Sequence, residues 1–291
     1  MNTQRSFAHE HQGVLYLVAT PIGNLDDITV RALQTLKEAD VIACEDTRQT
    51  RKLLNHFQID KRTVSYHEHN KEASGSGLLQ WLAEGKRIAL VSDAGLPAIS
   101  DPGADLVRDA VAAGFPVVPV PGANAALTAL IASGLPTERF VFAGFLPREK
   151  KDRQKELERL RGYVETVIFY EAPHRIGKTL EAIRDAWGDR RAVLARELTK
   201  RYEEFARGTL SELIEWLAEG ETRGEFCLIV EGFHGDPEEA GQSEAWWAEL
   251  SLAEHVDHYC AQGLATKEAV KRTADDRGLA RREVYNEYHR E

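Results

Sequence analysis

The feature that most constrains the fold is a repeating change of rhythm. Short apolar runs alternate with segments of helical periodicity through the first half of the chain. Residues 14–19, 41–44, 63–66, 87–92 and 117–120 read as strands, and 29–38, 47–56, 74–84 and 104–113 read as helices. Strands separated by helical crossovers predict a mostly parallel, helix-covered sheet. Residues 123–133 read as a further helix, ended by Gly134 and followed by Pro136. From about Phe140 the rhythm shifts. Strands are expected at 140–144, 167–170, 191–196, 202–207 and 226–231, with helices at 150–161, 173–186 and 209–219. Two strands lie close together near residues 197–207 with no helix between them, which predicts a mixed sheet and hence a second α/β domain.

A polar stretch rich in Gly and Glu then gives way to an all-helical tail. There a helix at 266–277, a break at Gly278 and a helix at 280–291 resemble a helix-turn-helix. The expected division is a flexible N-terminus over 1–13, an N-terminal α/β domain over 14–122, a C-terminal α/β domain over 123–233, a linker over 234–243 and a helical appendage over 244–291, for which RNA binding is one of two readings.

Composition removes several classes of function. No apolar run approaches the ~18 residues needed to cross a membrane, and the first residues lack an apolar signal core, so a cytoplasmic protein with no membrane partner is expected. Cys44, Cys227 and Cys260 are odd in number and far apart, which argues against disulfides and a zinc ligand set. No His/Cys cluster has ligand spacing, so no metal is expected. A formal net charge of −10 argues against indiscriminate nucleic-acid binding, while still allowing a local basic patch to dock RNA.

Three loops carry the functional signal. Residues 91–103, 20–24 and 120–126 each follow an apolar run and are rich in Gly, Pro and small residues. Such loops bring bare backbone close to a ligand, and the crevice beyond strand carboxyl ends is where open α/β sheets bind small molecules. Neither the Gly-x-Gly-x-x-Gly of a dinucleotide fold nor a phosphate-loop Lys-Ser or Lys-Thr pair is present. Charged clusters also sit at strand exits: Glu45, Asp46 and Arg48; Glu171, His174 and Arg175; Arg196, Glu197 and Lys200. Singly, each reads equally as a helix-start acid or an exposed ion pair. His67 and His69 read as solvated or RNA-facing. The run 147–155, with Arg148, Lys150 and Lys151, reads as a solvated helix face or as a grip for a polar polymer. From Lys267 to Arg282 six basic residues (Lys267, Lys271, Arg272, Arg277, Arg281, Arg282) stand against three acidic ones. A solvated cap and an RNA-facing surface both fit that tail.

Together these pieces resemble one family. LYLVATPIGNLDDIT from Leu15, ACEDTRQTRKLL from Ala43, VSDAGLPAISDPG from Val91, PVPGANAALTALIASGLP from Pro119, FAGFLPR from Phe142, FYEAPHRI from Phe169, RELTKRYEEFARGTL from Arg196 and GEFCLIVEG from Gly224 run in family order. The chain is similar to the bacterial small-subunit ribosomal RNA cytidine 2′-O-methyltransferases, within the tetrapyrrole-methylase-like superfamily that uses S-adenosylmethionine. The resemblance implies two α/β domains with the cofactor in the cleft between them, a helix-turn-helix appendage and a homodimer. It also implies transfer of a methyl group to a cytidine 2′-hydroxyl of 16S ribosomal RNA near the decoding centre.

Carried over by position, cofactor contacts fall on Pro21, Gly23, Asp93, Ala94, Gly95, Leu96, Asn124, Ala125, Glu171, Leu198, Phe226 and Cys227. The chain departs from relatives at Ser92-Asp93-Ala94, where they read Gly-Asp-Pro, and at Phe226-Cys227, where they read Pro-Ala. A ribose hydroxyl is a weak acid, so a positioned base is expected to help, typically by ~10²–10⁴-fold. Glu45, Asp46, Glu171, Glu197 and Lys200 are the candidates, unranked. RNA contacts are expected from Arg48, Arg148, Lys150, Lys151, Arg175, Arg196, Lys271, Arg272, Arg281 and Arg282, with no DNA partner, since guanidinium groups make bidentate phosphate contacts. A tetrapyrrole-type small-molecule methyltransferase and a cofactor-sensing, DNA-binding regulator stand as alternatives. The basic tail and the 148–155 run favour RNA over a small macrocycle.

Overall fold

A computed structural model describes residues 3–6, 13–220, 223–235, 247, 250–261 and 263–289. The leader expected over 1–13 and the linker expected over 234–243 fall largely outside these residues. By internal packing the chain divides into one unit up to Phe233 and another from His234.

The first unit holds two five-stranded sheets. In the first, β1 (Val14–Val18), β2 (Val41–Cys44), β3 (Thr63–Ser65), β4 (Arg87–Val91) and β5 (Val117–Val120) are all parallel, in the order β3-β2-β4-β1-β5. The crossovers contain α1 (Val30–Glu38), α2 (Thr47–His56), α3 (Lys71–Ala83) and α4 (Gly103–Ala112). They cover both faces: Leu36 and Leu54 pack with Ile42 on one side, Leu78, Leu82 and Leu106 with Ile88 on the other. Double cover explains why β2 reads as an unbroken apolar run, all four of its residues being buried. The sheet order has a direct result. It places β4, β1 and β5 side by side, so the three Gly- and Pro-rich loops that follow them share one rim.

The second sheet has the order β6-β7-β10-β8-β9 and is mixed, as expected. Here β6 (Phe140–Phe145) runs parallel to β7 (Thr166–Glu171). By contrast β10 (Phe226–Val230) is antiparallel to β7 and to β8 (Arg191–Arg196), which is antiparallel to β9 (Glu204–Thr209). Alternation along β10 divides the core. Phe226, Leu228 and Val230 face α6 (Lys150–Leu160), α7 (Ile176–Trp187) and α8 (Leu210–Glu219), while Cys227 and Ile229 face α5 (Ala125–Ser133). The α5 cluster also contains Ile22 of the first half and Leu198 of the second, so one core crosses between the sheets.

Of the boundaries that differ from expectation, three have clear local reasons. Helix α3 begins at Lys71, because Asn70 closes the preceding turn by accepting from His67 N and donating to Ser65 O. Helix α7 begins at Ile176 because Ala172 O takes the N–H groups of Arg175 and Ile176 in a tight turn. Strand β9 begins at Glu204 because turns at Glu197–Lys200 and Lys200–Glu203 occupy the residues before it.

The second unit packs α9 (Leu252–Ala261), α10 (Thr266–Arg277) and α11 (Arg281–Tyr288) around Val256, Tyr259, Ala269, Val270, Ala274 and Val284. Gly278, at φ 64°, turns the chain between α10 and α11 as a left-handed helix stop. Two phenols tie the helices: Tyr259 donates to Asp276 at 2.5 Å and Tyr288 to Asp257 at 2.6 Å. Among the described residues no helix is long and apolar enough to cross a membrane.

Candidate active site

The carboxyl rim of the first sheet meets one end of the second. Because β10 runs antiparallel, its first residue, Phe226, sits opposite the last residues of β7 and β8, Glu171 and Arg196. That end of the sheet therefore gathers Phe145, Tyr170, Glu171, Phe226 and Cys227, with Leu198 just beyond β8. With the rim loops they line a cavity of about 370 Å³, within the size range of small-molecule sites.

Nine of the twelve cofactor positions expected from the sequence line this one cavity: Ala94, Gly95, Leu96, Asn124, Ala125, Glu171, Leu198, Phe226 and Cys227. The other three, Pro21, Gly23 and Asp93, line a neighbouring cavity of about 470 Å³ that shares Ile22, Ala94 and Glu225 with the first. The loops are locked together by main-chain bonds. Thr20 N donates to Gly95 O at 2.9 Å and Gly95 N to Thr20 O at 3.1 Å. Gly95, at φ 79°, is in the left-handed region, and a Cβ there would stand 3.3 Å from Ile22 Cγ2. Gly23 lies against the other half: a Cβ there would approach Leu198 O to 2.9 Å, and Asn24 N donates to Thr199 Oγ1 at 3.0 Å.

The charged residues separate by their partners. Asp46 caps α2, accepts from Arg48 N at 2.8 Å and pairs with the Arg48 guanidinium, which holds its carboxyl down at about 2. Glu171 is buried, accepting from Thr179 Oγ1 at 2.6 Å and Ala172 N at 2.9 Å, with Arg175 Nε at 3.2 Å. Burial would raise the Glu197 carboxyl, but Lys200 Nζ at 2.9 Å and Glu225 N at 3.0 Å prevail, and its pKa is lowered. Burial likewise opposes the charge on Lys200, yet Glu197 and Glu225 prevail and raise it. Lys200 lines the second cavity; Glu197 lies outside both.

Glu45 behaves differently. It is exposed at the end of β2 and forms no hydrogen bond or ion pair among the described residues; partial desolvation of its carboxyl, and then Asp93 and Asp101, push its pKa up. Burial raises the two cavity groups Tyr170 and Cys227 to about 12, so both stay protonated at neutral pH.

The candidate RNA contacts also divide. Arg148, Lys150, Lys151, Lys271 and Arg282 are exposed, and none is in an ion pair among the described residues. Arg48 is exposed but paired with Asp46. In the tail, Arg272 lies over the Tyr259 ring and Arg281 donates to Lys267 O. Two others turn inward: Arg175 donates to Leu146 O at 2.8 Å and pairs with Glu171, and Arg196 donates to Arg223 O at 2.8 Å and pairs with Glu204. A charge pattern alone cannot show such pairing. Sequence reasoning also passed over Ile22, Ile99, Phe145, Tyr170, Ala172, Pro173, Ala195 and Glu225, which complete the cavity wall. For Phe145 a signal existed, because Gly144 inside a strand marks a bulge.

A sheet rim facing a mixed sheet across a cavity defines a class of protein. The chain belongs to the tetrapyrrole (corrin/porphyrin) methylase family, whose model matches residues 14–214. Among individual proteins, it is 58% identical over 292 residues to ribosomal RNA small subunit methyltransferase I of Halalkalibacterium halodurans, covering 100% of both chains. It is 57% identical to the protein of the same name from Bacillus subtilis, covering 99% of each. The fold is shared with a cobalt precorrin-4 methyltransferase at TM-score 0.57 and 19% identity, covering 75% of this chain and 94% of that one. It is shared too with a uroporphyrin-III C-methyltransferase from Thermus thermophilus complexed with S-adenyl homocysteine, at TM-score 0.54 and 21% identity, covering 75% and 97%.

Proposed function

We propose that the chain transfers a methyl group from S-adenosylmethionine to the ribose 2′-hydroxyl of a cytidine in small-subunit ribosomal RNA, near the decoding centre, in the cytoplasm. The observation that carries this reading is the convergence of nine expected cofactor positions on one cavity. Identity of 57–58% across nearly the full length of proteins named ribosomal RNA small subunit methyltransferase I supports RNA as acceptor.

The residues present fit the cofactor. Ala94, Gly95, Ala125, Ala172 and Ala195 keep side-chain bulk out of the cavity, while Leu198, Phe226 and Tyr170 offer apolar surface for a nucleoside. When bound, S-adenosylmethionine supplies an electrophilic methyl group, so the protein's task is alignment and proton removal. Of the five base candidates, Asp46, Glu171 and Glu197 are committed to Arg48, Thr179 and Lys200, and Lys200 is held protonated. Glu45 alone combines an upward-shifted carboxyl with freedom from internal partners; it lines neither cavity, so the proton-accepting role we assign it requires the ribose to sit at the rim beyond β2. Exposed Arg148, Lys150 and Lys151, with Lys271 and Arg282 of the 244–291 tail, hold RNA phosphates. Pairing of two copies through the outer face of α5 accounts for Leu127 and Ile131 standing 45% and 77% exposed.

The test offers labelled S-adenosylmethionine together with small ribosomal subunits, naked ribosomal RNA, duplex DNA and a precorrin in parallel. Label is expected on the 2′-oxygen of a cytidine in ribosomal RNA. Label on a cytosine ring, or on the precorrin alone, refutes the assignment.

A further inference from the structure

Two large apolar side chains in the wall of the main cavity are left in water. Phe145, the last residue of β6, is 54% exposed, and Ile99, in the loop after β4, is 39% exposed. Irregular backbone aims both. Gly144 has φ 65°, and the register of β6 on β7 shifts between Phe142 and Gly144, so a bulge interrupts the alternation just before Phe145. Ile99 lies between Ala98 at φ 67° and Ser100 at φ 62°. The Asp101 carboxylate holds that turn, accepting from Ala98 N at 2.9 Å and Gly103 N at 2.7 Å. Left-handed backbone at two non-glycine residues is strained, and here it delivers an isoleucine to solvent instead of to the core.

The two segments come from different sheets and meet, since a Cβ at Gly144 would lie 3.4 Å from Ser100 Oγ. Phe145 is also braced. Its ring lies 5.7 Å from that of Tyr170 in an edge-to-face arrangement, and Tyr170 is fixed in turn by Phe142 at 4.9 Å and by Ala126 N, which donates to its phenol oxygen at 3.1 Å. Directly beyond Phe145 the chain becomes basic, with Arg148, Lys150 and Lys151 exposed. A fixed aromatic face beside unpaired cations is what single-stranded nucleic acid binds: the ring stacks on a base and the cations hold its phosphates.

We propose that Phe145 and Ile99 form an apolar slot for the base of the nucleotide undergoing methylation, drawn out of the RNA stack, with Arg148, Lys150 and Lys151 on the adjoining phosphates. The assignment rests on the RNA-methyltransfer reading and specifies how the target nucleotide is presented. An extruded base loses its stacking neighbours, and an aromatic face replaces them. Phe145 is a positioning residue: it holds the base, and the ribose follows.

The experiment compares Phe145→Ala, Phe145→Leu, Phe145→Trp and Ile99→Ala with the wild-type full chain. It measures methyl transfer to small ribosomal subunits, S-adenosylmethionine affinity by calorimetry, and thermal unfolding. Phe145→Ala should lose roughly tenfold or more in kcat/KM for RNA, the scale of one base–aromatic stack. Its cofactor affinity should stay within about twofold and its unfolding temperature should not move, because the ring packs outside the core. Phe145→Trp should keep most of the activity, Phe145→Leu should not, and Ile99→Ala should show a smaller loss of the same kind. Cofactor affinity falling in parallel with turnover would place Phe145 in the cofactor's pocket and overturn the proposal. So would full rescue by leucine, or an unchanged kcat/KM in Phe145→Ala. A wild-type chain that methylates no ribosomal RNA overturns the underlying reading instead, before any variant is compared.

Discussion

Replacing Glu171 with glutamine separates a residue that builds the cavity from one that reacts in it. The side chain is fully buried, and both oxygens are engaged by Ala172 N, Arg175 and Thr179. Glutamine conserves the shape. Its oxygen can still accept from Ala172 N, and its amide can donate to the Thr179 hydroxyl after that hydroxyl reverses. The charge is lost. Arg175, whose side chain is 19% exposed, then keeps its bond to Leu146 O but has no carboxylate beside it. Breaking a buried pair costs ~3–5 kcal/mol, and the partial exposure and surviving bond of Arg175 put this case at about 2–3 kcal/mol. At ~2–4 °C per kcal/mol for a unit of this size, the unfolding temperature should drop by about 4–12 °C. Thr179→Val removes one charge-assisted hydrogen bond and keeps the ion pair, for about 1.5 kcal/mol. Circular dichroism melts with and without cofactor, paired with calorimetry, measure both. Cofactor affinity should weaken in step with stability, because Glu171 fixes the neighbouring Ala172 and Pro173 in the cavity wall. A Glu171→Gln protein that melts like the wild type yet turns over a thousandfold more slowly at saturating cofactor would show that the carboxylate itself reacts.

Three further outcomes follow from the geometry. Gly23→Ala forces a methyl against Leu198 O, a main-chain atom that cannot swing aside. About 1–3 kcal/mol of overpacking should appear as earlier melting and weaker cofactor binding, and a neutral result would mean the two loops part freely. Charge reversal at the exposed pair Lys271 and Arg282 should leave melting unchanged and make the salt dependence of RNA affinity shallower by roughly one unit for each phosphate no longer held; an unchanged slope makes the tail a cap. Burial holds the Asp101 carboxyl above the ordinary aspartate range, so ionising it costs more in the folded chain. Its contribution to stability is therefore complete below the unfolded pKa and lost as pH rises through the folded one. Wild type minus Asp101→Asn melts should show that decline, and a difference that grows with pH contradicts it.

Legibility followed periodicity. The buried runs at Val41–Cys44 and Arg191–Arg196 could be placed to the residue, because apolar continuity and helical spacing are local signals. The start of α7 could not, since Pro173 favours a helix opening that the Ala172 turn pre-empts. At the site, small residues after strands pointed to the cavity, as ligand access requires little side chain. Arg175 and Arg196 misled because basicity is visible in sequence and pairing is not. Phe145 fell just past the strand expected over 140–144, and the bulge that Gly144 signals turns it outward.

The place of β10 in its sheet has a consequence for how the protein is made. It is the last of the ten strands among the described residues yet the middle one of its sheet, flanked by β7 and β8. During synthesis the parallel sheet is complete once Val120 has emerged, since β1 already has β4 and β5 to pair with. The other sheet must wait as two separate pairs, β6 with β7 and β8 with β9, each with an open edge that only residues 226–230 can fill. Phe226 and Cys227 come on that same strand. The cavity wall is therefore finished only after the other nine described strands have been made, and a nascent chain that stops short of Phe226 has exposed strand edges and no place to keep a methyl donor.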